Sequence, residues 1–286
     1  MHFADYKTIL SPKNGMNIYR GCTHGCIYCD SRSKCYQMKH DFEDIEIKRN
    51  APEILEDQLK KRRKKAMIST GAMTDPYIHL ETELKYTRKC LEIIEKHAFG
   101  VTILTKSDRI LRDLDILKRI NSKTKCVVQM TLTTADETLC KTLEPNVSTT
   151  AQRINALRIL NEAGIPTIVW LGPFLPFIND DVKNLEILLE ECTKVNVKGI
   201  ICFGMGMTLR EGSREYFYEK LDQHFPGMKE RYIKKYGNKY ILESPNNLYL
   251  NRILKSTCQK HEILLHDDAF KYMAKFVSRV GQLSLF

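Results

Sequence analysis

Residues 16–29 read Met16-Asn17-Ile18-Tyr19-Arg20-Gly21-Cys22-Thr23-His24-Gly25-Cys26-Ile27-Tyr28-Cys29, a short apolar run that gives way to a loop with two glycines and three cysteines. The apolar run reads as a strand over 16–19. The same order, a β-rich run and then a polar or glycine-bearing turn, recurs at 66–70, 101–105, 126–133, 167–172 and 199–203. Between the runs lie helix-length segments with an apolar period of 3.6 residues, near 52–65, 83–97, 110–120, 150–163 and 182–195. In the last of these, Val182, Leu185, Leu188, Leu189, Cys192 and Val195 share one side. Gly164 and the Ile165-Pro166 pair stop the preceding helix and lead into a strand.

Strand alternating with helix implies parallel strands joined by right-handed crossovers. Six such units between residues 16 and 203 fit an α/β fold of the TIM-barrel type, whole or partial, better than a small open sheet. Beyond residue 203 the pattern changes. Residues 207–262 are rich in Tyr and Lys, read as mainly helical and hold no strong strand. The expected organisation is a core barrel with its lead-in over 1–206, a mainly helical extension over 207–280 and a tail over 281–286. In a parallel barrel the loops after the strands' C-terminal ends gather on one rim, where function collects. That rim would bring together the 20–29 loop, Thr74 and Asp75 after the second strand, Lys106 after the third and Thr131 at the end of the fourth.

The chain has 286 residues, with 45 Lys and Arg against 35 Asp and Glu, hence a net charge of +10, and 43% apolar residues. Such a composition excludes a disordered or collagen-like chain. The longest apolar stretch, 168–178, is broken by Gly172, Pro173 and Pro176 and is too short to cross a bilayer, so no membrane is expected as a partner. The opening Met-His-Phe-Ala-Asp-Tyr-Lys lacks the basic-then-apolar order of a secretion signal. A soluble, cytoplasmic protein is the expectation. Ten cysteines fall below the density of a disulfide-built scaffold, and clustered cysteines in a reducing compartment hold a metal more readily than they pair.

Three of the ten do cluster. Cys22, Cys26 and Cys29 form a C-x3-C-x2-C array, a spacing that a shuffled chain of this cysteine content would show about 1% of the time. Three thiolates on one tight loop can hold three irons of a [4Fe–4S] cube and leave the fourth open to an outside ligand. Gly21 and Gly25 allow the backbone to fold closely around such a group. The competing reading is a structural zinc completed by His24 or Cys35. Structural zinc takes four ligands, usually as two separated pairs, and a lone triplet fits that poorly.

The array, with Tyr28 as the aromatic just before the third cysteine, resembles the signature of radical S-adenosylmethionine (SAM) enzymes. The resemblance implies a partial (β/α)6 barrel, with SAM chelating the open iron through its amino and carboxylate groups. It also implies reductive cleavage of SAM to methionine and a 5′-deoxyadenosyl radical that abstracts hydrogen from substrate. An electron donor such as flavodoxin or ferredoxin is implied as a partner. Within the superfamily the chain is most similar to the spore photoproduct lyase-like group over roughly residues 15–205. The segments that carry this are Tyr19-Arg20-Gly21-Cys22, Thr74-Asp75-Pro76-Tyr77, Leu104-Thr105-Lys106-Ser107, Leu143-Glu144-Pro145 and Ala163-Gly164-Ile165-Pro166.

Position by position, the resemblance implies that Thr74 and Lys106 contact SAM, with Tyr28 and Thr131 in the same pocket. A lysine cation suits an amino-acid carboxylate. The plainer readings are a solvated loop lysine for Lys106 and a turn hydroxyl for Thr74. The chain also departs from the group. Met73 stands where the photoproduct lyases carry a hydrogen-donating cysteine, and a thioether has no S–H to give. Asp30 stands where they carry a tyrosine after the third cysteine. Cys202 is a substitute donor if it points into the barrel, and a buried structural thiol otherwise.

Lys60-Lys61-Arg62-Arg63-Lys64-Lys65 reads as a helix C-terminus, where cations favour the negative end of the dipole. It precedes a strand and so lies on the face opposite the expected site. The net charge and the basic, aromatic stretch from Arg214 to Tyr240 are compatible with DNA. The chain ends Gln282-Leu283-Ser284-Leu285-Phe286, which resembles the pentapeptide by which bacterial repair and replication proteins dock on the sliding clamp. Packing of Leu285 and Phe286 back onto the barrel is the alternative. The combined expectation is a radical SAM [4Fe–4S] enzyme with a DNA-linked substrate. RNA, a peptide or a small molecule as substrate stays open, as does a DNA-associated binding protein with a structural metal.

Overall fold

The computed structural model describes residues 1–279 of the chain. Its strands are β1 (His2–Ala4), β2 (Gly15–Met16), β3 (Tyr19–Arg20), β4 (Glu46–Lys48), β5 (Met67–Thr70), β6 (Gly100–Thr105), β7 (Cys126–Leu132), β8 (Thr167–Leu171), β9 (Gly199–Ile201), β10 (Gly206–Thr208), β11 (Ile241–Glu243) and β12 (Leu264–Leu265). Its α-helices are α1 (Ala51–Lys61), α2 (Glu81–Leu84), α3 (Tyr86–Lys96), α4 (Leu114–Lys123), α5 (Glu137–Leu143), α6 (Thr150–Glu162), α7 (Val182–Lys194), α8 (Ser213–His224), α9 (Met228–Tyr236), α10 (Asn247–Lys260) and α11 (Asp267–Ala274).

Seven strands form one sheet in the order β12-β9-β8-β7-β6-β5-β2, and every pairing in it is parallel. Helices α1, α3, α4, α6, α7 and α10 cross between successive strands of this sheet. A partial TIM-type α/β barrel is therefore the fold, as the alternation of runs implies. The two faces of the strands part the core in two. Val128, Met130 and Leu132 of β7 pack with Leu185, Leu188 and Cys192 of α7 and with Leu250 and Leu254 of α10, beneath the outer helices. The alternate residue Val127, with Ile168 and Ile201 of neighbouring strands, packs instead on Ala269 and Met273 of α11. Helix α11 therefore fills the concave face of the sheet, because side chains two apart on a strand share a face.

The elements differ in detail from their expected spans. The run at 16–19 divides: Gly15–Met16 joins the barrel sheet, while Tyr19–Arg20 pairs antiparallel with β4 in a second sheet of order β1-β4-β3. Strands of two or three residues are too short to show a period. The helix near 83–97 is two helices, parted at Lys85, whose backbone is left-handed with φ 54°. The segment near 110–120 opens as a 3-10 turn over Asp108–Asp113 before α4, and α5 fills a stretch to which the sequence reading assigned no element. The basic run straddles the end of α1, with Lys60 and Lys61 in its last turn. Within 207–262, read as lacking a strong strand, β10 and β11 form an antiparallel pair. Strand β12 and α11, farther on in the expected extension, complete the barrel sheet and its inner face. The tail over 281–286 lies outside the described residues.

Candidate active site

The cysteine loop leaves β3 at Gly21, whose φ is +85° and where an added Cβ would come within 2.5 Å of the Phe42 carbonyl oxygen. The Cys22 N–H donates to that same carbonyl at 3.0 Å. Gly25 has φ +70°, and a Cβ there would meet Pro145 Cγ at 3.0 Å. On the far side Ile27 N–H donates to Leu143 O at 3.0 Å, and Asn146 N–H to His24 O at 3.1 Å. The loop is thus clamped between residue 42 and the 143–146 turn, and the two glycines are what let the backbones meet.

Cys22 and Cys26 are buried and Cys29 is half-buried, all three as free thiols. Burial, with neighbouring sulfurs adding to it, pushes the Cys22 thiol well above its usual range. Burial also pushes the Cys26 thiol up to about 12, against the pull of Lys106. Thiols so placed ionise only beside a strong cation, which a metal centre supplies. Tetrahedral thiolates on a single zinc would sit ~3.8 Å apart. These three sulfurs do not: among the described residues the one group of potential ligand atoms within 4.8 Å of one another is His2, His40 and Asp44 in the N-terminal sheet region. The donor set fits a polynuclear group better than a lone ion. His24, the fourth ligand of the zinc reading, turns Nδ1 toward Asp75 Oδ2 at 3.5 Å, and its buried Nε2 has no hydrogen-bond partner.

Lys106, just past β6, reaches to the cysteine loop. Its Nζ lies 3.7 Å from Cys26 Sγ and 3.7 Å from Glu144 Oε1, and 5.1 Å from the centre of the Tyr28 ring. Burial opposes its charge, but Cys26, Tyr28 and Glu144 outweigh that and hold its pKa well above the usual lysine value. Glu144 is itself fully buried, bonded to the Tyr28 hydroxyl and to the buried Arg153 guanidinium, with Thr133 Oγ1 at 3.1 Å. Burial alone would raise its pKa. Arg153 and then Lys106 hold the carboxyl well below the usual carboxylate range. Arg153 also donates to the Thr131 carbonyl at 2.7 Å, tying the end of β7 into the same network.

A second buried carboxylate fixes the loop after β6. Asp75 accepts from Thr105 Oγ1 at 2.8 Å, from Lys106 N–H at 2.7 Å and from Tyr77 N–H at 2.8 Å. The Asp75-Pro76-Tyr77 turn, the end of β6 and His24 are thereby locked together. This lock sets where the Lys106 backbone sits.

Beside these groups a cavity of about 680 Å³ opens over the C-terminal ends of the strands. Asp30, Lys106, Thr131, Trp170, Phe203 and Tyr240 stand on its wall, among others. Of the expected site residues, Lys106 and Thr131 face this space. Thr74 is buried next to Asp75, and Tyr28 turns its hydroxyl inward to Glu144. Asp30 is held by the Tyr36 hydroxyl at 2.9 Å and by Arg210 Nε at 3.6 Å. Cys202 does not point into the barrel: it packs in the outer core, its Sγ 3.5 Å from the Gly204 carbonyl, and burial raises its thiol to about 11. The structural reading of that thiol holds. The sequence reading placed Asp75 on the functional rim without a role of its own, and gave Glu144 and Arg153 none. Glu144 and Asp75 lay inside quoted segments, and the one further signal was Arg153, a charge on the apolar stripe of α6.

A family model described as the Radical SAM superfamily matches residues 16–211. An uncharacterized protein of Methanocaldococcus jannaschii is 33% identical over 178 residues, which make up 62% of this chain and 64% of that protein. An uncharacterized protein of Mycobacterium tuberculosis is 26% identical over 227 residues, 77% of this chain and 66% of its own length. The chain thus spans just under two thirds of these relatives. Spore photoproduct lyase complexed with dinucleoside spore photoproduct superposes with a TM-score of 0.64, at 14% identity, over 87% of this chain and 74% of that one. A variant of that lyase with bound AdoMet and the same dinucleoside gives 0.63. At such identity the likeness speaks for the fold.

Proposed function

This chain belongs to the radical SAM superfamily, and on that premise we propose that Cys22, Cys26 and Cys29 hold a [4Fe–4S] cluster beside a SAM site formed with Tyr28, Thr74, Lys106 and Thr131. The protein is an enzyme. When bound, a cluster reduced by an outside donor would pass one electron to SAM, which yields methionine and a 5′-deoxyadenosyl radical able to take a hydrogen atom from substrate. The chain's own residues do the rest. Lys106 places a cation between the cysteine loop and the cavity, where it can pair with the SAM carboxylate. Glu144 and Arg153 hold Lys106 and Tyr28 in place, and Asp75 fixes the Lys106 backbone. The cavity wall orients the substrate beside these groups.

The observation that carries this reading is Lys106 Nζ at 3.7 Å from Cys26 Sγ on the wall of the cavity. It joins the cysteine loop to a space where a small molecule can bind.

For the substrate we propose a DNA-linked group. Support comes from the +10 net charge and from the fold shared with an enzyme that acts on a dinucleoside photoproduct. Met73 and Asp30 in place of cysteine and tyrosine argue for a reaction that does not use that enzyme's hydrogen relay. The proposal includes a flavodoxin or ferredoxin as electron donor, docking on the bacterial sliding clamp through residues 282–286, and a reducing, cytoplasmic setting. No helix among the described residues is long and apolar enough to cross a membrane.

Anaerobic reconstitution tests the chemistry. Expected are about four irons per chain, a reduced-cluster EPR signal that changes on adding SAM, and 5′-deoxyadenosine on reduction. Lys106→Gln should keep the iron and weaken SAM binding in calorimetry by tenfold or more. Stoichiometric zinc and no iron in the native protein would overturn the reading, as would unchanged SAM affinity for the assignment of Lys106.

A further inference from the structure

Phe203 is 78% exposed, the most exposed of the large apolar side chains described, and it stands on the wall of the active-site cavity just past β9. It is not loose. Its ring lies 5.4 Å from Trp170 at 69° and 5.9 Å from Phe270 of α11 at 26°, so two aromatic neighbours back it. Trp170 is anchored in turn, its Nε1 donating to Gln129 Oε1 at 2.5 Å while Gln129 Nε2 donates to Thr102 Oγ1 at 2.7 Å. The result is a fixed aromatic shelf with one open face, an arrangement that core packing does not require.

The surroundings say what would lie on the shelf. Tyr240, 45% exposed, stands on the same wall, and Arg210 donates to its hydroxyl at 2.7 Å with the guanidinium 4.9 Å from the ring centre. Lys239 is exposed beside it. Asp30, Glu243 and Asn247 add hydrogen-bonding groups to the wall. A planar apolar shelf, polar groups along its edge and cations outside match a base that stacks, hydrogen-bonds through its rim and trails an anionic backbone. At about 680 Å³ the cavity is of small-ligand size and admits no stacked duplex.

We infer that the cavity receives, beside SAM on its Lys106 and Thr131 side, one unstacked nucleobase lying on the open face of Phe203, with the strand's phosphates on the Arg210 and Lys239 side. The inference rests on the nucleic-acid reading above and narrows it to a single-stranded or extruded base.

Trp170 is the one tryptophan of the chain, so its emission reports on this shelf alone. The experiment titrates the cluster-loaded protein, saturated with SAM so that the cofactor's adenine site is filled, with a fluorescein-labelled single-stranded oligodeoxynucleotide of mixed sequence. Anisotropy reads binding, and Trp170 emission with an unlabelled copy reads contact at the shelf. Expected are quenching on binding, an affinity about tenfold or more weaker in Phe203→Ala, and near-normal affinity in Phe203→Tyr. The exposed position makes both variants safe for folding. Unchanged anisotropy titration in Phe203→Ala together with unquenched Trp170 would overturn the shelf and leave the nucleic-acid reading standing. Absence of any oligonucleotide binding by protein that still cleaves SAM would overturn both, and quenching by a peptide in its place would assign the shelf to that class.

Discussion

Glu144 is the residue on which the site's charges converge. Fully buried, it faces Arg153, Lys106 and Tyr28 at once. Glu144→Ala would leave the buried Arg153 guanidinium without its carboxylate, a loss of about 3–5 kcal/mol that a thermal melt would read directly. The pH dependence has a definite sign. The folded pKa lies below the ordinary glutamate value of 4.5, so the unfolded chain binds the extra proton. The stabilisation is complete above about 4.5 and fades as pH falls below it. Urea titrations between pH 6 and 3 should show a falling midpoint in the parent and a flatter profile in Glu144→Gln. Gly21→Ala tests the loop: with φ +85° and 2.5 Å to the Phe42 oxygen, an added methyl group must displace Cys22. Iron retention after anaerobic desalting should fall severalfold, and full retention would show the loop to be pliable. The three cysteines were legible because their spacing is local. The role of Glu144 was not, since its partner Tyr28 is 116 residues away and no local pattern joins them.

At the level of elements, the long strands and the amphipathic helices α3, α6 and α7 stood out because burial on one side imposes a period on the chain. Short elements carry no such period. The parting of 16–19 between two sheets, helix α5, the β10–β11 pair and β12 were therefore hidden. Helix α11 is the most consequential of the late elements. Its Ala269 and Met273 cover Val127, Ile168 and Ile201, and its Phe270 backs the Trp170–Phe203 pair. Met273→Ala should cost about 2–5 kcal/mol in chemical denaturation. Because Trp170 packs in the same cluster, its emission should also shift red in the native baseline. Neither change would be seen if α11 only grazed the sheet.

For the whole molecule, the proposed DNA-linked substrate together with a net charge of +10 predicts association governed by phosphate contacts. Oligonucleotide affinity should fall steeply with salt, log K against log salt giving a slope of about −0.7 for each phosphate engaged on a single strand. A flat dependence would detach the charge from function. The alternation of apolar runs and the cysteine spacing, both local properties, were enough to determine from sequence that this is a parallel α/β barrel with three clustered cysteines on one loop. Which buried charges steady Lys106, which segment fills the concave face and which aromatic ring is left open to the cavity were decided by tertiary structure alone. Those outcomes depend on groups scores of residues apart meeting in a low-dielectric interior, where each charge must find a partner and each ring a neighbour. Distance along the chain conceals such meetings, and packing reveals them.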